Sequence, residues 1–334
     1  MKTTLKICYD SLANKGMESE IADLIVTSPP YPMVAMWDDL FSGFNPVIHS
    51  ALTKEKSGRH AHLLMFQVLV PVLRASERIL KPGGFLCINI GDAVRSLNGN
   101  FRLYDNHSFI SQYLESKTSL YQLPRILWRK TTNAPNKFMG SGTLPLKAYV
   151  TLEHEFILIF KKPGKIDKER EALRRKSSIF WEERNTWYSD VWTFQGTRQE
   201  KNGKRTAAFP FELPHRLINM FSVQGDVVVD PFLGSGTTMA AAVVNARNFL
   251  GFEINKGLRR TIIGTLKKAK ELAKEIPKKR IDSHRAFADA NAYKYKSIYG
   301  GVKTKQEENM EIPILNRFKV KNATNFTCKY KTYR

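Results

Sequence analysis

The sequence is short of acidic residues, of cysteine and of long apolar runs, and each shortage removes a class of reading. Its 31 Asp and Glu face 53 Lys and Arg, a formal net charge of +22 at pH 7. An excess of that size points to a polyanionic partner, nucleic acid before membrane; the plain alternative is a generic solvated surface. No apolar stretch is long enough to span a bilayer, and the opening Met1-Lys2-Thr3-Thr4-Leu5-Lys6 leads into no signal-type apolar region. Three cysteines in 334 residues cannot build a disulfide framework. Cys8 and Cys87 fall in expected strands and read as core and Cys328 lies in the tail, which fits a reducing cytoplasm. No metal motif stands out either: His60 and His62 read as surface residues at a helix start.

What is present is concentrated in two stretches. Asp226-Val227-Val228-Val229-Asp230-Pro231-Phe232-Leu233-Gly234-Ser235-Gly236-Thr237-Thr238 is an apolar run, an acid, a glycine-rich turn and the start of a helix. A buried strand feeding a Gly-x-Gly turn and a helix N-terminus is how α/β proteins hold nucleotide-like ligands. Gly234 and Gly236 permit the left-handed backbone and close approach that such a turn needs. The turn lacks the Gly-Lys-Ser/Thr ending of a triphosphate-binding loop. A second strand, Phe249 to Glu253, ends in an acid 19 residues past Gly234, near the spacing at which an acid meets ribose hydroxyls.

The other stretch is Ala22-Asp23-Leu24-Ile25-Val26-Thr27-Ser28-Pro29-Pro30-Tyr31. An apolar strand again runs into an unusual turn. Two prolines fix φ and remove two N–H donors, leaving local carbonyls free to accept, and Tyr31 offers a flat face for stacking. Alone, Pro-Pro-Tyr reads as a rigid turn; after a strand, in a chain that also carries the glycine turn, it is far more specific.

Together the two stretches resemble the amino-group DNA methyltransferases that use S-adenosylmethionine. Ser28-Pro29-Pro30-Tyr31 is similar to their catalytic motif, and Asp230-Pro231-Phe232-Leu233-Gly234-Ser235-Gly236 to their cofactor motif. The catalytic motif comes first, which resembles the permuted beta class. The resemblance covers about residues 4 to 275. It implies an α/β, Rossmann-like methyltransferase sheet, mostly parallel with one antiparallel strand, carrying a small inserted target-recognition region. It further implies S-adenosyl-L-methionine as cofactor and double-stranded DNA as partner. Serine before Pro-Pro-Tyr implies cytosine N4 as the acceptor, where Asp or Asn would imply adenine N6. Asp10, at the end of a strand from Leu5, matches the acid that accepts from the cofactor's adenine amino group; its plain reading is a cap on the next helix. Phe209 and Pro210 match the segment lining the methionine end. With Asp230, Phe232, Gly234, Ser235, Gly236, Thr237 and Glu253 they complete the expected cofactor site.

Taken in order, residues 1–162 and 206–276 form the expected catalytic domain. After Tyr31 a polar, aromatic-bearing segment to Gly58 reads as a loop with one short helix at most. His60 to Leu80 has helical apolar spacing, kinked at Pro71 and stopped by Lys81-Pro82-Gly83-Gly84. Phe85–Ile90 follows as a buried strand, one right-handed crossover on. A helix over 109–115, strands over 123–129 and 151–161, and a loop over 132–145 complete this half. Trp128, Arg129 and Lys130 are candidates for contact with an extruded base. Residues 163–205 shift in composition, with basic residues interleaved among Phe180, Trp181, Trp187, Tyr188 and Trp192. Here the resemblance places target recognition. Arg174, Arg175, Lys176, Arg184, Arg198, Lys201, Lys204 and Arg205 are the candidate DNA contacts, since arginine and lysine serve phosphates and arginine reads guanine edges. The plain alternative is a small charged helical subdomain with its aromatics inside. A helix after Glu253 ends at Pro277, and 277–334 is a basic extension outside the resemblance.

The chemistry follows from the acceptor. An exocyclic amino group is a poor nucleophile because its lone pair is delocalised into the ring. Acceptors such as the Ser28 hydroxyl and the Pro29 carbonyl favour a tetrahedral nitrogen as attack begins, while Tyr31 stacks on the base. The base must leave the duplex to reach such a turn. The sulfonium methyl is already activated, so the protein supplies alignment. Carbon-5 methylation would need a cysteine nucleophile, usually as Pro-Cys, and no Pro-Cys occurs. The leading expectation is a site-specific N4-cytosine DNA methyltransferase of a restriction-modification system, acting on the same site as a cognate endonuclease. The alternatives are N6-adenine, RNA or protein amide methylation, and, from another class, a non-catalytic nucleic-acid-binding protein on the same fold.

Overall fold

The computed structural model describes residues 1–14, 16–131, 139–165, 170–196, 208–291, 309–322 and 324–333. In chain order the elements are β1 (Lys2–Cys8), β2 (Ala22–Thr27), α1 (Asp38–Phe44), α2 (Pro46–Thr53), α3 (Gly58–Ile79), β3 (Leu80–Ile90), β4 (Ala93–Leu97), β5 (Asn100–Tyr104), α4 (Asn106–Lys117), β6 (Tyr121–Thr131), β7 (Met139–Gly140), β8 (Ala148–Tyr149) and β9 (His154–Lys161). They continue with α5 (Glu171–Lys176), α6 (Trp181–Trp187), β10 (Val191–Gln195), α7 (Glu212–Phe221), β11 (Val227–Asp230), α8 (Thr237–Val244), β12 (Asn248–Phe252), α9 (Arg259–Ala290), β13 (Ile312–Val320) and β14 (Asn325–Tyr333).

Ten strands form one sheet in the order β10-β6-β9-β3-β2-β11-β12-β1-β14-β13. The central run β3-β2-β11-β12-β1 is parallel. β9 runs against both β3 and β6, as expected, and a second antiparallel strand, β14, flanks β1. Every residue of β2 is buried, which is why Ala-Asp-Leu-Ile-Val-Thr reads as a continuous apolar run rather than an alternating one. Helices cover both faces. One core gathers Leu24, Val26 and Val228 with α7, α8 and α9; the other gathers Ile25, Leu86, Ile88 and Val229 with α3 and α4.

Two expectations are corrected, and two features that carried no expectation are added. Residues 35–53 are not mainly loop: a 3₁₀ turn and two helices lie there. Helix α2 opens on Asn45, whose side chain accepts from Val47 N, followed by Pro46 at its first position, a strong start signal. The segment after Asp92 is a hairpin, β4–β5, turning on Asn98 and Gly99, both with positive φ, the dipeptide a tight turn favours. Pro277 does not end its helix: α9 runs on to Ala290, burying Ile281, His284 and Ala288 beyond the proline. Packing outweighs the lost N–H there. Finally, the basic extension is not peripheral throughout, because β14 pairs with β1 over Lys2–Lys6 and carries β13 at the sheet edge.

Candidate active site on the carboxyl edge of the sheet

In a parallel sheet, ligands bind beyond the carboxyl ends of the strands. Ser28 follows β2, Asp230 ends β11, Glu253 follows β12, and Asp10 lies just past β1. These four strands are consecutive in the sheet, so the expected residues form one row, with about 4.8 Å between neighbouring strands.

The glycine turn is braced from both sides. Asp230 is buried and both of its carboxylate oxygens are engaged: Oδ1 accepts from Thr27 Oγ1 at 2.7 Å and from Phe232 N at 3.0 Å, and Oδ2 accepts from Thr238 Oγ1 at 2.7 Å. Burial pushes its pKa up to about 6 against the pull of these donors. Asp230 therefore ties the end of β2 to the start of α8 and shapes the turn from within. Glu253 accepts from Gly234 N at 2.8 Å through Oε2 and from Asn255 N at 2.7 Å through Oε1. Burial raises its pKa as well. The Ile254 N–H also bears on this carboxylate, whose remaining acceptor capacity suits a ligand hydroxyl. Gly234 and Gly236 have φ of +53° and +89°, the left-handed region that glycine enters freely. Gly236 caps α8, whose first N–H groups have no partner within the helix. Ser235 Oγ and Thr237 Oγ1 lie 3.3 Å apart on the same turn. Phe232 packs under the turn, Phe209 packs into the core beside α7, and the Pro210 carbonyl accepts from Leu213 N. Asp10 does what its plain reading says: Oδ1 accepts from Ser11 N at 2.7 Å and from Asn14 Nδ2 at 3.2 Å, capping a 3₁₀ turn.

The Ser-Pro-Pro-Tyr turn is held by residues that no sequence motif marked. Tyr31 donates to Glu155 Oε2 at 2.9 Å and accepts from Asn89 Nδ2 at 2.8 Å and from Ser28 Oγ at 3.1 Å. Asn89 also donates to Glu155 Oε2, and Lys130 pairs with Glu155 Oε1. Burial and the nearby Glu155 charge hold the Tyr31 phenol well above its usual pKa, so it stays a donor. Because Ser28 spends its hydrogen on Tyr31, its oxygen is left as an acceptor. Gly91 packs directly against the Tyr31 ring: a Cβ there would stand 2.9 Å from Tyr31 Cε2 and 3.2 Å from Glu155 Cγ. Asn106 fixes the backbone around it, donating to Pro32 O and Gly91 O while its own oxygen meets His62 Nε2. The signal for Glu155 was a lone acid inside an otherwise apolar strand, since buried acids are rare unless paired.

The basic insertion divides. Arg170 bridges Asp23, at the start of β2, and Asp226, just before β11. That clamp fixes α5 at the amino edge of the sheet, opposite Ser28. Arg174 and Arg175 pair with Glu171, and Lys176 with Glu311. Arg184 is exposed on α6, which packs on the distal part of α9 through Glu183–Arg280, about 30 Å down that helix from its start beside the site. The structure thus does not bring these four basic residues to the Ser28 turn. Arg198, Lys201, Lys204 and Arg205 lie outside the described residues. Their described flanks do reach the catalytic edge: Gln195, the end of β10, pairs with Thr131, and Phe209-Pro210 precede α7. Trp128 is core rather than a DNA contact, its Nε1 donating to Phe194 O at 3.2 Å. Asp92, Asp105 and His107 cluster within metal-ligand distances, but both acids are engaged in hydrogen bonds with the start of α4.

Sheet order and edge turns define the class as a Rossmann-like methyltransferase fold. A protein of Thermus thermophilus assigned as a DNA modification methylase, solved in complex with S-adenosyl-L-methionine, superposes with a TM-score of 0.61 at 26% identity, over 80% of this chain and 95% of its own. The PvuII cytosine-N4-specific DNA methyltransferase shares the fold, with a TM-score of 0.56 at 15% identity over 81% and 92% of the two chains. Residues 22–264 match the N6/N4 DNA methylase family, and the chain belongs to that family. Two curated relatives align over most of its length. The Type II methyltransferase M.MthZI of Methanothermobacter thermautotrophicus is 45% identical over 93% of this chain and 91% of its own. M.MjaI of Methanocaldococcus jannaschii is 48% identical over 77% and 89%.

Proposed function

We propose that this DNA methylase moves a methyl group from S-adenosyl-L-methionine to the N4 amino group of a cytosine at a specific site in duplex DNA, as the protective member of a restriction-modification system. The observation that carries methylation of an exocyclic amino group is the donor chain Ser28 to Tyr31 to Glu155; the choice of cytosine rests on the serine that precedes Pro29-Pro30-Tyr31. The donor chain leaves the Ser28 oxygen as an acceptor, with a carboxylate at the far end of the chain increasing its basicity. An amino nitrogen that donates to this oxygen and to the Pro29 carbonyl is drawn toward a tetrahedral geometry, with its lone pair directed at the methyl. Pro30 keeps the turn rigid, and Tyr31 stacks on the base. The row Asp230, Glu253, Asp10 and the start of α8 holds the cofactor, the free N–H groups there suiting its carboxylate end. The excess of positive charge suits the polyanion. Among the basic residues of the insertion, those at 198, 201, 204 and 205 are the ones whose chain flanks meet the catalytic edge.

The test is to incubate the protein with unmethylated DNA and S-adenosyl-L-methionine, digest to nucleosides and identify the product by mass spectrometry. N4-methylcytosine is expected; N6-methyladenine would overturn the acceptor assignment and leave cofactor and fold intact. No methylated nucleoside on any DNA, with cofactor binding lost as well, would favour a binding module. Ser28→Ala is expected to cut transfer sharply at unchanged cofactor affinity.

A further inference from the structure

The excursion between β6 and β9 carries a feature that the transfer chemistry does not use. β6 ends at Thr131 and β9 begins at His154, both level with the Lys130–Glu155 pair beside Tyr31, so the connection leaves and rejoins the sheet at the edge that carries Ser28. Its described part is a small hairpin, β7–β8. The hairpin is built, not slack. Ser141 N donates to Lys147 O at 2.9 Å, and Ser141 Oγ donates to Leu144 O at 2.8 Å. Gly140 has no room for a side chain, because a Cβ would stand 2.0 Å from Lys147 O. Tyr149 stacks on Phe101 of the β4–β5 hairpin with ring centroids 4.4 Å apart, and β4 starts two residues past Gly91, which packs against the Tyr31 ring. Two hairpins therefore pack against one another through this ring pair, one of them anchored beside Tyr31.

The tip they hold up is apolar: Leu144-Pro145-Leu146. Leu144 is 66% exposed and Leu146 is 99% exposed. Leu146 also sits at φ +69°, a conformation a leucine side chain resists. A branched apolar side chain held out in water on a strained backbone, on a connection that leaves and rejoins the sheet at the edge carrying Ser28 in a chain of charge +22, has no packing role among the described residues. Apolar side chains that enter duplex DNA do so as wedges between base steps. A base that leaves the stack to be methylated vacates a space of that kind. We propose that Leu144 and Leu146 are a wedge that enters the duplex beside the target and fills the place the extruded base leaves. This rests on the proposed extrusion of the target, whichever base it is. The occupant is duplex DNA, with the neighbouring Lys147 placed to meet the phosphate backbone.

The experiment uses the full chain and its Leu144→Ala/Leu146→Ala variant, which alters only exposed side chains. The substrate is a duplex carrying the site mapped by sequencing DNA from a host that expresses the protein. 2-Aminopurine replaces the base on the 3′ side of the target. A second duplex has the target mispaired, so that extrusion is already easy. The wild-type protein is expected to raise 2-aminopurine fluorescence on binding and the variant to lose most of that rise. The variant's kcat/KM should fall about 10- to 100-fold on the paired duplex and less than about 3-fold on the mispaired one, with cofactor affinity by calorimetry unchanged. Equal fluorescence from both proteins, or equal losses on both duplexes, would overturn the wedge while leaving extrusion standing. No rise with the wild-type protein would overturn extrusion and the wedge with it. Unchanged methylation together with a changed sedimentation coefficient would assign the tip to a contact between copies of the chain and sink the proposal.

Discussion

Tyr31 hangs from Glu155: the phenol of the Ser-Pro-Pro-Tyr turn donates to Glu155 Oε2 at 2.9 Å, across from β2 to β9. Two strands of opposite direction thus set the position of one ring. The same carboxylate takes Asn89 and Lys130, so a single acid collects donors from three other segments.

Glu155→Gln keeps the shape and removes the charge. The amide cannot accept from Tyr31, Asn89 and Lys130 together, because one of its two ends is now a donor. A hydrogen bond to a charged group contributes about 1.5–3 kcal/mol. Carried into the transition state, that is a fall in kcat of about 10- to 100-fold. Cofactor affinity, set by the acid row on other strands, should stay within about 3-fold of wild type. Single-turnover methylation and calorimetry measure the two; equal losses in both would refute the assignment.

Gly91→Ala places a methyl 2.9 Å from the Tyr31 ring. The ring must shift, and small misplacements of a positioning group carry large rate penalties. The expected outcome is at least about a tenfold drop in kcat by that argument, with melting temperature reduced and cofactor binding retained. Unimpaired turnover would mean that the Tyr31 ring has room the structure does not show.

Asp230 makes stability depend on pH. Its folded pKa is about 6, raised by burial from an unfolded value of about 3.9. The folded state therefore binds the proton more tightly. Its stabilising contribution is full below about pH 4 and is lost as pH rises through about 6. The difference corresponds to about 3 kcal/mol. Asp230→Asn removes this dependence, so its stability relative to wild type should improve from about pH 4 to about pH 7.5. Urea midpoints at the two pH values check it; a gap between the proteins that is constant with pH would refute it.

Arg170 lies between Asp23 and Asp226 at the edge remote from Ser28. Without it the two acids repel each other, and the Asp23 charge already helps to raise Asp226. Arg170→Ala should lower stability by about 1–2 kcal/mol, the arginine being partly exposed, and leave kcat on DNA near wild type. A large loss of DNA affinity at unchanged stability would return Arg170 to the recognition surface.

The parts of the site that could be read in the sequence were those written in consecutive residues. β2 into Ser28-Pro29-Pro30-Tyr31 and β11 into Gly234-Ser235-Gly236 each combine a buried strand with a turn of restricted chemistry, and both elements and both ends are found where expected. Asn98-Gly99 was an equally local signal and was passed over. Contacts between distant segments were not legible. Nothing near Glu155 in sequence says that it meets Tyr31, 124 residues away. The composition of 163–205 does not separate surface from interior: Arg174 and Arg175 pair with Glu171, and Arg170 bridges Asp23 and Asp226. Local propensity makes Pro277 a stop; the apolar residues beyond it, Ile281 and Ala288, decide otherwise through packing. The last strands carry no strong period; they are held by the edge of β1 and by core packing of Leu315, Phe326, Cys328 and Tyr330.

That edge has a consequence in time. Thr4 of β1 bonds to Asn248, 244 residues on, and the terminal amine of Met1 to the Tyr330 carbonyl, 329 residues on. β1 has both of its sheet neighbours, β12 and β14, among strands that follow much later in the chain. At ordinary elongation rates it waits roughly ten to fifty seconds for β12 alone. Ser28 is made early, yet the row it belongs to closes only when Asp230, Glu253 and the partners of β1 arrive. A ribosome-bound chain therefore carries the Ser28-Pro29-Pro30-Tyr31 turn well before it carries the glycine turn and acid that share its sheet edge.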